Sequence, residues 1–178
     1  ERRRVAFGLA SVLSPAALCP SAILFCLMAT YGVLMAFLPL YVRAIDAGNP
    51  GIFFLVFASV VAAVRGYAGR LSDRLGRAPV SAAGMVLAGL ATAALALRGG
   101  PLTLVLAGTL YGIGFGAAQP SLMAWTVDLV PPVARGKAMG TFFTAFELGI
   151  GAGAIGFGLV LGRAGFPSTF LAAGALAL

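Results

Sequence analysis

Residues 69–77 read GRLSDRLGR, three arginines and an aspartate in a chain of 178 residues that has only five acidic side chains and no histidine. That scarcity limits the chemistry open to the chain. A metal site needs several His, Cys or carboxylate ligands converging on one point, and hydrolysis needs a nucleophile with a base beside it. Asp73 lies among arginines, Asp128 precedes a Pro-Pro pair, and Glu147 stands alone in a long apolar run. Cys19 and Cys26 lie seven apart on one apolar helix, about 10 Å along its axis, too far for a disulfide. No metal, cofactor or catalytic set is therefore expected. What remains is ion pairing within residues 69–77, and proton exchange or cation binding at Glu147.

The elements that position these groups are apolar helices. Of the residues, 61% are hydrophobic and 10% charged, a composition whose solvent is largely lipid. A hydrocarbon core of about 30 Å takes roughly 20 helical residues, and runs of that order fill most of the chain. Spans are expected at about 17–42, 51–68, 80–97, 102–127 and 136–161, with a sixth starting at 166 and running to 178. Turn chemistry separates them: DAGNPG at 46–51, GRLSDRLGR at 69–77, Arg98-Gly-Gly-Pro101, Pro131-Pro132 and Gly162-Arg-Ala-Gly165. A kink is expected at Pro120, which leaves the Gly116 carbonyl without its helical donor. The runs are continuously apolar, which excludes the alternation of a membrane β-barrel.

Charge sets the orientation. With the amino end inside, the inner segments hold Arg2, Arg3, Arg4, Arg70, Arg74, Arg77, Arg135 and Lys137, and the outer loops hold Arg43, Arg98 and Arg163. An excess of Lys and Arg marks cytoplasmic loops, so the amino-terminal end is expected in the cytoplasm. The +7 net charge is dispersed between apolar spans and forms no soluble basic face, which argues against nucleic acid as a partner.

Gly69, Asp73, Arg74, Gly76 and Arg77 match the G-x-x-x-D-R-x-G-R loop of the major facilitator superfamily, with Ala78 in place of its last basic residue. NPGIFFLVFASV before this stretch and RGKAMGTFFTAFELG after the fourth span are similar to the same family. The resemblance implies an all-α membrane fold of twelve spans in two halves, of which this chain holds one. In the family's amino half the fourth span usually carries an arginine before its glycines; Gly108 stands there. ERRRVAFGLASVLSP looks like the linker between halves. The expected organisation is a cytoplasmic linker at 1–16 and a six-span carboxyl half-bundle at 17–178, its last span truncated. The family role carried to Asp73 and Arg74 is a latch between the halves in one conformational state.

Other residues divide between packing and transport. Gly108, Gly112 and Gly116, and again Gly149 and Gly153, recur every four residues, letting helix backbones approach. Glu147 lies 12 residues, about 18 Å, beyond Arg135 and so near mid-membrane, where an ionisable group marks a functional site or a costly packing choice. Its helical face carries Gly140, Phe143, Thr144, Gly151 and Gly158. Arg65, little more than a turn before residue 69, can snorkel, or pair with an acid in the missing half or with Asp73. Gln119 beside Pro120, and Tyr31 and Trp125, could line a pathway.

The resulting expectation is a secondary transporter in the inner (plasma) membrane that moves a small organic solute by alternating access, in the manner of proton-coupled efflux. Its partners would be the lipid bilayer, protons, a small-molecule substrate and the other six-span half. Proton-coupled uptake of a metabolite is the nearest alternative, and a non-transporting membrane scaffold or receptor a further one.

Overall fold

Turn residues set the helix boundaries. The computed structural model describes residues 13–178, so most of the expected linker lies outside the described residues. A 3-10 turn at Pro15–Ala17 leads into α1, Leu18–Ala44. Asp46 and Gly48 take positive φ (51° and 94°), and the Asn49 side-chain carbonyl accepts the Gly51 N–H at 2.8 Å. The chain reverses there into α2, Gly51–Leu75. α3, Arg77–Ala94, tightens into a 3-10 turn at Leu95–Leu97 and stops at left-handed Arg98 (φ 52°). Pro101 opens α4, Pro101–Asp128, at a position where its missing N–H costs nothing. After the turn Pro132–Ala134, a helical run Arg135–Leu176 is broken at Gly165 (φ 75°, ψ 178°). Its two parts are α5 (135–164) and α6 (166–176), with Pro167 in the first turn of α6.

One sequence expectation is corrected. Residues 69–77 do not form a loop: α2 continues through Leu75, and only Gly76 leaves helical geometry (φ 98°, ψ 154°), in a region closed to side chains. Ala68 and Ser72 are buried while Arg70, Asp73 and Arg74 are exposed, so the charges line the outside of a helix end and do not interrupt it. Pro120 lies inside α4, which continues through it.

The helices pair out of sequence order. α1 packs on α5 and α2 on α4, in each case through glycine. A Cβ at Gly149 would meet the Phe25 carbonyl at 2.7 Å, and one at Gly153 would overlap the Ala29 carbonyl. On α4, a Cβ at Gly108 would lie 2.9 Å from the Phe53 carbonyl, one at Gly112 2.9 Å from Val60, and one at Gly116 3.4 Å from Val61. Without a hydrophobic drive between helices in lipid, such approach lets dispersion act backbone to backbone. α3 meets α4 at Gly84 and Gly114 and meets α6 at Gly89 and Gly174; in both pairs each glycine faces the other's carbonyl. Exchanging the first three helices for the last three turns the α1–α5 contact into the α4–α2 contact and leaves α3–α6 in place. Short connections alternate the helix directions, so α1 and α4 run oppositely and this internal repeat is inverted.

The core between the layers holds Leu27, Met28, Tyr41, Phe53, Tyr111, Phe142 and Phe170. Burial is uneven. Half of the most apolar stretch of α1 and of α3, and 44% of that of α4, is buried, against 11% for α2 and for the last helical run. α2 and α5 thus leave long apolar faces uncovered.

Candidate functional site

Polar side chains gather at two levels. At the junction of α2, α3 and α4, Arg77 is the first residue of α3. Its Nη1 lies 2.5 Å from Asp73 Oδ1 and 3.3 Å from Ser72 Oγ, and its Nε donates to Asp128 Oδ2 at 3.0 Å. Three helix ends are tied by one guanidinium. Both carboxylates sit beside the positive N-terminal end of α3. Of the motif's arginines it is Arg77 that pairs with Asp73, and Arg74 makes no hydrogen bond or ion pair among the described residues. No side chain caps the start of α3, so Asp73 acts through the arginine. Gly69 lies mid-helix with open space around its Cα. The part played by Asp128 was missed, since nothing in the sequence joins it to a residue 51 positions away.

The second level lies deeper. Because α2 reaches Leu75, Arg65 stands ten residues from the helix end, about 15 Å at helical rise, and five residues before Arg70. Its Nη2 donates to Gln119 Oε1 at 2.7 Å, and Gln119 is itself buried. Two residues considered separately in the sequence therefore form one rung between α2 and α4.

Aromatic rings continue the seam outward. Phe57 lies 5.4 Å from Phe115 and 5.6 Å from Tyr111 between ring centroids, and Tyr31 of α1 packs on Phe57 at 5.9 Å and on Phe115 at 5.6 Å. The Tyr111 hydroxyl bonds Thr30 Oγ1 at 2.8 Å, and Thr30 donates to the Leu27 carbonyl at 2.7 Å. These bonds satisfy the polar tips and join α1 to α4. Trp125 is set apart, lining a small apolar recess with Ile23, Cys26 and Met85.

Glu147 lies on the uncovered face of α5, exposed, with no hydrogen bond or ion pair among the described residues. Phe143, Thr144 and Gly151 are exposed beside it, and a Cβ at Gly140 or Gly151 would meet nothing. Of the three glycines of the face only Gly158 has a neighbour, Phe37, at 3.4 Å from such a Cβ. The structure does not join Glu147 to the Arg65–Gln119 rung. Cys19 and Cys26 are free thiols, and no group of three metal-ligating side chains occurs among the described residues.

Residues 21–178, all six helices but for the first turn of α1, match the sequence profile of the Major Facilitator Superfamily. The chain belongs to that superfamily. As a facilitator chain it is a multi-pass membrane protein, in keeping with five helical stretches long and apolar enough to cross a bilayer. It is 28% identical over 148 residues to an uncharacterised transporter of the superfamily from Salmonella typhimurium. It is also 28% identical over 152 residues to the staphylopine export protein of Staphylococcus aureus. Each match covers 83% of this facilitator chain and 38% of the relative, so the chain spans about two fifths of the length of these curated relatives.

Proposed function

We propose that this chain is the carboxyl half of a secondary transporter that moves a small organic solute across the inner membrane by alternating access, as proton-coupled efflux. One observation carries the reading: Arg65 and Glu147, ionisable and set within apolar spans, lie on the two helices whose faces are least covered. Charge within an apolar span requires an aqueous cavity or a facing partner. A second six-span bundle set against α2 and α5 supplies both, with the solute between the halves. The Arg77 junction sits where it can bias one state over the other, and the positive-inside count supports a cytoplasmic amino-terminal end. Efflux is favoured over uptake by the similarity to an export protein. A scaffold or receptor role gives no reason for charges within apolar spans.

The test is solute movement in proteoliposomes of the intact protein under an imposed pH gradient. Counterflow of candidate solutes that depends on the gradient and reverses when it is inverted is expected. Flux equal to that of empty vesicles for every solute offered would leave the scaffold reading in place.

A further inference from the structure

We propose that the Arg65–Gln119 rung is the anchor for a carboxylate of the transported solute, so that the protein selects organic monoanions with an apolar or aromatic body. The inference rests on the transporter reading and names its substrate class.

The argument starts from charge balance. Outside residues 1–12 the acids are Asp46, Asp73, Asp128 and Glu147. Asp73 and Asp128 are both engaged by Arg77 at the helix ends. Asp46 lies in the α1–α2 connection, at the opposite end of the helices, and Glu147 has no ion pair among the described residues. Among the described residues Arg65 is thus a cation within an apolar helix whose one hydrogen-bond partner is the neutral amide of Gln119. That amide orients the guanidinium without neutralising it. A guanidinium carries five N–H donors in a planar fork that matches a carboxylate, and one bond to Gln119 leaves most of them available. Arg65 is exposed on the flank of α2, so those donors are open to a solute.

The surroundings define the remainder of the ligand. Phe115 stands one helical turn outward from Gln119 on α4, in contact with Phe57 and Tyr31, and all three rings are partly buried. A carboxylate held at Arg65 would place the body of a small acid toward these rings, where stacking and apolar contact favour it. One cation balances one negative charge, which favours a monoanion over a phosphate dianion.

Titration calorimetry on the purified intact protein tests this with three isosteric probes, benzoate, benzamide and benzylamine, in the absence of any gradient. Benzoate is expected to bind at least about tenfold more tightly than benzamide, and benzylamine more weakly than either. Arg65→Gln should weaken benzoate about 10- to 100-fold, the worth of a charge-assisted hydrogen bond, and leave benzamide nearly unchanged; Arg65→Lys should fall between. The wild-type order of the three probes stands independently of whether the variants fold. Benzamide or benzylamine binding as tightly as benzoate, or no benzoate binding, overturns the proposal, the last being the result if an acid elsewhere in the protein already neutralises Arg65. Unweakened benzoate binding in a folded Arg65→Gln protein overturns it as well. Arg65-dependent benzoate binding in a protein that moves no solute would retain the anion site and remove the transporter reading.

Discussion

Arg77 and Asp128 are joined at 3.0 Å although 51 residues separate them. The same guanidinium holds Asp73 one helical turn away on α2, so the junction is one three-residue unit. Asp73 is 63% and Asp128 56% exposed, and ion pairs of that exposure contribute about 0–1 kcal/mol to stability. Asp73→Asn and Asp128→Asn are therefore expected to leave thermal unfolding nearly unchanged while altering the balance between inward- and outward-facing states. Spin-label distances across the inner mouth of the intact protein measure that balance. The two substitutions should be non-additive because both act through Arg77, whereas Arg74→Gln should leave the distances unchanged. Additive effects would dissolve the unit into independent charges.

Glycines facing a neighbour and glycines facing open space should respond differently to the same change. Gly112→Val on α4 and Gly153→Val on α5 force a side chain into a neighbouring backbone or side chain and are expected to cost about 1–3 kcal/mol or more. Gly66→Val, with nothing within 4 Å, should cost little within this half. Unfolding in mild detergent gives the comparison.

Glu147→Gln should abolish gradient-driven transport while insertion and folding survive, and any remaining solute exchange should lose its pH dependence. Glu147→Asp, shorter by one methylene, should keep part of the activity. Normal proton-driven transport by the Gln variant, with an unshifted pH profile, would assign the side chain to packing against a neighbouring helix.

Single cysteines placed at Asn49 and Gly100, in a background lacking Cys19 and Cys26, should be labelled from outside the cell by a membrane-impermeant reagent. Cysteines at Arg70 and Arg135 should be reached only from the cytoplasm. Labelling of position 49 from the cytoplasmic side alone would invert the topology.

Helix number and most boundaries were legible because apolar runs are interrupted by residues with one dominant physical effect: Gly48 and Gly165 with positive φ, and Pro101 and Pro132 at helix starts. The end of α2 was not legible. Arg70, Asp73 and Arg74 look like a loop by composition, yet on a helix they face outward while Ala68 and Ser72 remain inside. Pairing was hidden for a different reason: the contacts of Arg77 with Asp128 and of Arg65 with Gln119 depend on α2 lying beside α4, which no local pattern encodes.

The out-of-order pairing of helices bears on how the molecule is made. About 90 residues of chain separate the end of α1 from the start of its main partner, α5, and at roughly 5–20 residues per second on a ribosome that interval lasts roughly 5–20 seconds. During it, the α1 surface around Phe25 and Ala29 faces lipid or the translocon. α2 waits a shorter time for α4, and α3 meets α6 only as α6 itself emerges. Within this bundle α1 is thus made before the helices that cover it and is among the last to acquire its full cover, and assembly of the bundle becomes a late event, after insertion of its parts.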